Sequence, residues 1–531
     1  MVCPDGAIST SSRRRSLVLA LTLMAIVAAG VAMLLISSGH GRSTALTTIA
    51  RDGTAARRAG VPAQGTVITV GRATTSRAIP AGFLGLSLEF PALEAYAGSE
   101  PQAVDPVLVQ LIRNLTPGQA PVLRIGGDST DLTWWPIAHV RRPAGVKYTL
   151  GPRWLAVTAA LVRALDARVI LGIDLEADSS RVAGVEARAL IAGIGGAQVE
   201  ALEPGNEPEL YGTFTWDGSG VTGRPRGYDF AAFVKDFSRL GGALPPFPLA
   251  GPAIGGPAWS PYVGAFLAAE PRVRLVTLHR YPLKLCFVSP GSPNYPTVGN
   301  LLSDGASRGL ANSVARYVGI AHARGLRLRI DEMNTDSCGN DAGVSKSFAS
   351  ALWALDALFQ MARVGVDGVN IHTYPGATYE LFTFRRVHGS WQAFVEPEYY
   401  GLLMFAQATS PGSRLLRVSG GRPGDGLRAW ATRALDGETR VVLINESDRP
   451  QTVAVRAPTV AGASTLERLQ APSVRANRGV TLGGQSFGSR TQTGRLAGRE
   501  TATSITPVGG EYVLRLTPAS AVLLTLPVVR P

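Results

Sequence analysis

Between residues 83 and 372 the chain alternates short apolar runs of strand character with longer amphipathic stretches. The runs fall at 83–89, 122–126, 169–174, 199–203, 247–251, 273–279, 326–331 and 368–372. Helical periodicity marks 105–115, 153–167, 185–194, 228–240, 261–269, 312–324 and 347–363. The runs are apolar almost throughout, as strands covered on both faces must be. Eight such units in roughly 330 residues predict an α/β fold of the parallel (β/α)8 type, a TIM barrel with decorated loops. A doubly wound sheet is the alternative. It would be expected to carry a glycine-rich phosphate turn after its first strand, and none follows 83–89.

Near residue 410 the texture changes. Short strand-like runs at 415–418, 426–433, 440–445, 452–456, 464–469 and 512–526 are separated by Gly, Pro, Asp and Ser, with no helical period. This predicts an all-β sandwich over 410–531, following a catalytic barrel at 66–409. The early run 66–71 precedes the barrel, and residues 66–80 can pair into the sandwich and tie both barrel ends to it. At the other end, Arg13-Arg14-Arg15 precedes a nearly unbroken apolar run, 17–36. About 20 apolar residues can cross a bilayer, with the basic flank, 1–16, left in the cytoplasm. The run is long for a cleaved signal peptide and no clean small-x-small site follows it. An uncleaved signal-anchor is therefore favoured over a signal peptide, with 37–65 as a flexible linker. Both readings place the rest outside the cytoplasm, either membrane-anchored or secreted.

With 45% apolar and 17% charged residues the chain is a folding one. The net charge of +13 raises the question of an anionic partner. However, Lys occurs only four times and Arg is spread along the chain without a dense basic stripe, so no nucleic-acid partner is expected. Of three cysteines, Cys3 precedes the apolar run, while Cys286 and Cys338 follow the sixth and seventh predicted strands. In an exported protein these two can form a disulfide; spacing alone leaves two buried thiols equally open. No Cys-x-x-Cys or clustered His marks a metal site, and neither a metal nor an organic cofactor is expected.

Two acidic motifs, 125 positions apart, carry the chemistry. They are Glu203-Pro204-Gly205-Asn206-Glu207-Pro208 and Ile330-Asp331-Glu332-Met333-Asn334. Each places a Glu where a barrel strand hands over to its loop, at the C-terminal face where such barrels hold their active sites. Two carboxyls about 5–5.5 Å apart are what retaining cleavage of a glycosidic bond requires. Pro208 fixes the turn and removes a backbone donor that would stabilise a charged carboxyl, so Glu207 is the expected acid/base and Glu332 the nucleophile. His372 and Tyr374, at the eighth strand, are candidates to line the sugar pocket, and His279 to support it. Trp134, Trp135 and Trp391 are candidates for stacking on sugar or for core. Asn114-Leu115-Thr116 and Asn445-Glu446-Ser447 fit the N-glycosylation pattern.

Together with Leu123-Arg124-Ile125-Gly126-Gly127-Asp128-Ser129-Thr130-Asp131 and His279-Arg280-Tyr281, these motifs resemble glycoside hydrolase family 79, which includes β-glucuronidases and heparanase. The resemblance spans about residues 66–530. It implies that Asn206 bonds the sugar 2-hydroxyl, that Tyr281 hydrogen-bonds the nucleophile, and that Arg124 supports the nucleophile by charge. It also implies that Glu89 and Asp128 bind outer hydroxyls, and that the Cys338-Gly339-Asn340 loop holds a uronic carboxylate. The expected activity is removal of a terminal β-linked glucuronic acid from a glycan or glycoside with retention. The alternatives are a heparanase-like endo-glycosidase and a non-catalytic carbohydrate-binding surface protein with a degenerate barrel.

Overall fold

The structure, a computed structural model, describes residues 65–528 except 215, 217–218, 340–341, 423 and 459–461. The expected basic N-terminus, the apolar run 17–36 and the linker up to residue 64 lie outside the described residues. Among the described residues no helix is long and apolar enough to cross a membrane.

Strand β1 (Thr66–Thr74) comes first. Eight parallel strands follow: β2 (Leu84–Glu89), β3 (Val122–Gly126), β4 (Arg168–Ile173), β5 (Val199–Pro204), β6 (Leu249–Ile254), β7 (Val273–Arg280), β8 (Arg327–Met333) and β9 (Gly368–Thr373). Each pairs with its sequence neighbours, and β9 pairs with β2, so the sheet closes into a barrel. All residues of β2, β3, β5, β6 and β9 are buried, which is why these segments read as mainly apolar runs. A helix follows each strand: α1 (Pro106–Leu115), α2 (Pro152–Leu165), α3 (Ser180–Ile194), α4 (Phe230–Ala243), α5 (Val263–Ala269), α6 (Leu310–His322), α7 (Phe348–Val364) and α8 (Pro397–Ala408). Helix α3 starts five residues before its apolar periodicity does. The side chain of Ser179 accepts from Val182 N–H and caps it there.

Two elements depart from expectation within 374–409. Residues Phe382–Val387 (β10) and Ser390–Val395 (β11) form an antiparallel hairpin, and α8 completes the eighth unit. Beyond it lie β12 (Arg414–Gly420), β13 (Leu427–Arg433), β14 (Thr439–Asn445), β15 (Gln451–Arg456), β16 (Ser464–Gln470), β17 (Tyr512–Leu516) and β18 (Ser520–Leu526). The run 512–526 is therefore two strands and not one: β17 pairs with β15, while β18 pairs with β14 and β16.

The strand order of this β domain is β16-β18-β14-β13-β12-β1-β15-β17. Strand β12 meets β13 through Arg414 and Leu415 and β1 through Val418–Gly420, so one continuous sheet folds over on itself. It encloses a core to which both ends contribute, including Ile68, Val70, Leu443, Val453, Leu514 and Leu524. Strand β14 is apolar on both faces. Val441 and Leu443 enter the domain's own core, whereas Val442 and Ile444 join the core shared with the barrel. At that junction Trp430 stacks on Phe359 of α7, centroids 5.4 Å apart, and its indole N–H donates to Asp356 at 2.8 Å.

Both glycosylation-pattern asparagines are engaged in the fold. Asn114 donates to the Gly494 carbonyl at 2.7 Å. Buried Asn445 donates to the carbonyls of Arg449 (2.7 Å) and Thr517 (2.8 Å).

Candidate active site

The barrel mouth gathers side chains from distant strands. Glu207 follows β5 with φ 44° and ψ 54°, a left-handed conformation that an L-residue adopts only under support. Its N–H donates to the Ala253 carbonyl of β6 at 2.9 Å. Glu332 comes from β8. One carboxylate oxygen of Glu207 and one of Glu332 lie within 4.8 Å of each other, and both within that distance of a His279 ring nitrogen. His279 Nδ1 lies 3.0 Å from Glu207 Oε1 and 3.8 Å from Glu332 Oε2.

Arg124 is the hub. Fully buried, it places Nη1 2.6 Å from Glu332 Oε2, Nε 2.8 Å from Glu203 Oε2, and Nη2 2.8 Å from Asn206 Oδ1. Tyr281 donates its hydroxyl to Glu332 Oε1 at 2.7 Å, and His372 Nδ1 lies 3.2 Å from the same oxygen. Burial pushes the Glu332 carboxyl up, but His372, His279 and Arg124 outweigh it and hold the group well below the usual carboxylate range. The converse acts on the imidazoles. Burial disfavours their charge, yet Glu332 and Asp331 raise His279 to about 9, and Glu332 and Glu89 raise His372 to about 10. Tyr281, pushed up by burial and then by the Glu332 charge, stays a donor.

Glu203 and Asp331 complete the buried cluster. Asp331 is pushed far up, by burial first and then by the Glu203 charge. Glu203 is held low because Arg124 outweighs its burial, and a hydrogen bond from Asp331 helps. Burial and the neighbouring charge thus favour the neutral form of Asp331, and Arg124 favours the charged form of Glu203. Arg124 stands nearer to Glu203 (2.8 Å) than to Asp331 (3.5 Å), in accord with that assignment.

The residues assigned to sugar hydroxyls line one side. Glu89 accepts from Asp128 N–H (3.1 Å), Ser129 N–H (2.8 Å) and the Ser129 hydroxyl, and approaches His372 Nε2 at 3.2 Å. Gly127, at φ 75°, is a requirement of this arrangement: a Cβ there would lie 2.1 Å from Glu89 Oε1. Asn206 donates to Asp128 Oδ1 at 3.3 Å, and its main-chain N–H donates to Asp131 at 3.0 Å. Half-buried Tyr374 packs near His372, ring centroids 5.4 Å apart. Tyr379, absent from the sequence reading, lies beside both Tyr281 and His372, with its hydroxyl 3.3 Å from His372 Nδ1.

Cys286 and Cys338 are disulfide-bonded, with Cα atoms 5.8 Å apart. The bridge laces the loop after β7 to the loop after β8. A short parallel pairing of Leu283-Lys284 with Asp336-Ser337 reinforces it. Gly339 follows at φ 55°, and Asn340 lies outside the described residues. Of the tryptophans, Trp134 is core, packed with Leu132 and Trp216, and Trp391 lies against Gly98 under the Arg386 guanidinium. Among the described residues Glu207, His279 and Glu332 form the one group compact enough to hold a metal ion. Its surroundings argue against that role: His279 Nδ1 is engaged with Glu207 at 3.0 Å, and Arg124 already occupies Glu332.

Residues 429–523 match the model of the glycosyl hydrolase family 79 C-terminal beta domain. Over this stretch the β domain is similar to that of glycoside hydrolase family 79. The resemblance carried by the sequence motifs is to this same family. A Neurospora crassa protein named beta-glucuronidase is 22% identical over 395 residues, and the match spans 65% of this chain and 66% of that relative. Among solved structures, a 4-O-alpha-L-rhamnosyl-beta-D-glucuronidase from Fusarium oxysporum superposes with a TM-score of 0.67 at 20% identity, covering 86% of this chain and all of that one. A GH51 arabinofuranosidase from Xanthomonas axonopodis pv. citri gives 0.61 at 15% identity, covering 87% and 100%. At these identities the two structures establish the fold: a TIM barrel with a C-terminal β domain.

Proposed function

We propose that this chain is a retaining β-glucuronidase, removing a terminal β-linked glucuronic acid through a covalent glycosyl-enzyme intermediate. The observation that carries the proposal is the approach of the Glu207 and Glu332 carboxylates to within 4.8 Å. That spacing suits direct attack by one carboxylate and leaves no room for the intervening water of an inverting enzyme. In the first step Glu332, kept ionised by His372, His279 and Arg124, attacks the anomeric carbon while Glu207 protonates the departing oxygen. His279 bonds Glu207 Oε1 and leaves the other oxygen for that task. In the second step Glu332 is a neutral ester. Glu207 then takes a proton from water, which attacks the same carbon and releases the sugar. Asn206 Oδ1 is fixed by Arg124, which turns its amide nitrogen toward Asp128 on the side of the pocket assigned to the sugar hydroxyls.

The choice of glucuronic acid is supported by the family of the β domain and by the activities named for the Neurospora and Fusarium relatives. The proposal extends to an extracytoplasmic setting, with the chain held by its N-terminal apolar run or released after cleavage. The Cys286–Cys338 bridge supports this, since such bonds persist in oxidising compartments. The test is a panel of aryl β-D-glucuronide, glucoside, galactoside and xyloside, together with mass-spectrometric mapping of the residue labelled by a 2-fluoro glucuronyl fluoride. Turnover of the glucuronide and a label on Glu332 are expected. Turnover of the neutral sugars alone would reject the uronate, and a label elsewhere would reject the nucleophile.

A further inference from the structure

Glu207 alone cannot maintain its own geometry. It sits in the left-handed region, two residues before Glu209, at the head of a short turn (Pro208–Leu210). Three contacts join this turn to the end of β6. Glu207 N–H bonds the Ala253 carbonyl. Glu209 Oε1 accepts from both Gly255 N–H (2.7 Å) and Gly256 N–H. Gly255 in turn lies directly against the acid/base: a Cβ on it would come within 2.4 Å of Glu207 Oε1. The carbonyl side of the same glycine turn is braced from behind. Arg280 Nη1 lies 3.4 Å from the Gly255 carbonyl, and Ser260 donates to the Gly256 carbonyl at 3.1 Å. The Gly255-Gly256 segment is thus gripped on its N–H face by one carboxylate and forms the wall on which the other rests. The second Glu209 oxygen is buried without a hydrogen-bond partner. A carboxylate kept in that position is held for what Oε1 does.

We infer that Glu209 is a positioning residue for proton transfer: by clamping the Gly255-Gly256 turn it fixes the Glu207 carboxyl where it can reach the leaving-group oxygen. This rests on the glucuronidase reading above and adds a residue to it. Glu209 does not touch the sugar, and its effect is confined to steps that need a well-placed acid.

The experiment compares two substrates, dinitrophenyl β-D-glucuronide, whose leaving group needs little protonation, and an alkyl β-D-glucuronide, whose leaving group needs it fully. Glu209→Leu puts an apolar side chain in the same place and removes the acceptor. It is expected to lower kcat/KM for the alkyl substrate by roughly 100-fold, the lower end of what general acid catalysis supplies. The dinitrophenyl substrate should stay within about threefold of wild type. Glu209→Gln restores an acceptor oxygen and should recover most of the loss. Gly255→Ala, with Glu209 intact, pushes a methyl against Glu207 and should reproduce the same leaving-group-selective defect. It also serves if Glu209→Leu does not fold. Equal losses on both substrates in folded variants, or no loss on either, would overturn the positioning role. A wild-type enzyme that leaves dinitrophenyl glucuronide intact would instead reject the glucuronidase reading itself.

Discussion

Replacing His372 by Gln tests the electrostatics of the nucleophile directly. The imidazole stands 3.2 Å from Glu332 through Nδ1 and 3.2 Å from Glu89 through Nε2. Its rise from 6.5 to about 10, against the opposing effect of burial, is a preference for the charged form of about 5 kcal/mol. Glu332 is the larger cause of that rise and Glu89 the smaller, so the charge on His372 favours ionised Glu332. Gln keeps a polar group near the Tyr281 hydroxyl and removes the charge. A cation beside a carboxylate holds it ionised, so its loss lets Glu332 take up a proton at higher pH. The acidic limb of kcat/KM, measured with aryl β-D-glucuronide, should therefore move to higher pH. The same pair acts on folding. A histidine raised in the folded state contributes stability that is full below 6.5 and lost as pH rises through about 10. The melting-temperature gap between the wild type and the variant should close over that window. A variant with full plateau activity and an unmoved acidic limb would refute the reasoning.

Other outcomes follow from the same geometry. Glu207→Gln should retain the first step on dinitrophenyl glucuronide, stall at the covalent intermediate, and be rescued by azide with formation of a β-glycosyl azide, followed by product analysis. Asp331→Asn should destabilise less than Glu203→Gln, because burial and the Glu203 charge already favour the neutral form of Asp331. Glu203→Gln should lose about 3–5 kcal/mol by stripping buried Arg124 of its nearest carboxylate save Glu332; denaturant titration of the two variants distinguishes them. Joint replacement of Cys286 and Cys338 by Ser opens a loop closed across 52 positions. It should lower stability by up to about 4 kcal/mol and admit proteolysis between them, read by melting and limited digestion.

The barrel is legible because strands covered on both faces leave little choice of residue: 122–126 and 368–372 read as strands from their apolar residues even though Arg124, Asn370 and His372 interrupt them. Helix α8 escapes for the opposite reason. Residues Tyr399, Tyr400, Leu402, Leu403, Met404 and Phe405 are all buried, so it has no polar face to reveal a helical period. The β10–β11 hairpin turns at His388-Gly389, with φ of 47° and 81°. The glycine announces such a turn but the histidine does not. At the site, Glu207, Glu332, Arg124, Tyr281 and Asn206 are reachable from motifs. Glu203 and Asp331 lie inside those motifs without their roles being reached, and Glu209 and Tyr379 lie outside them. For Glu203 a signal exists: a charge inside a fully buried barrel strand must find a partner of opposite sign, and Arg124 lies 2.8 Å away. Glu209 and Tyr379 act through loops whose conformation no local pattern specifies.

The strand that precedes the barrel has a consequence for how this protein can be taken apart. Both edges of β1 are occupied by segments from the far end of the chain, β12 on one side and β15 on the other. A fragment ending at residue 409 would keep β1 and lose both neighbours, presenting two bare rows of amides and carbonyls that invite self-association. It would also uncover the apolar flank of α8. Neither half is a portable module, and an attempt to transplant the barrel onto another scaffold has to carry the β domain with it.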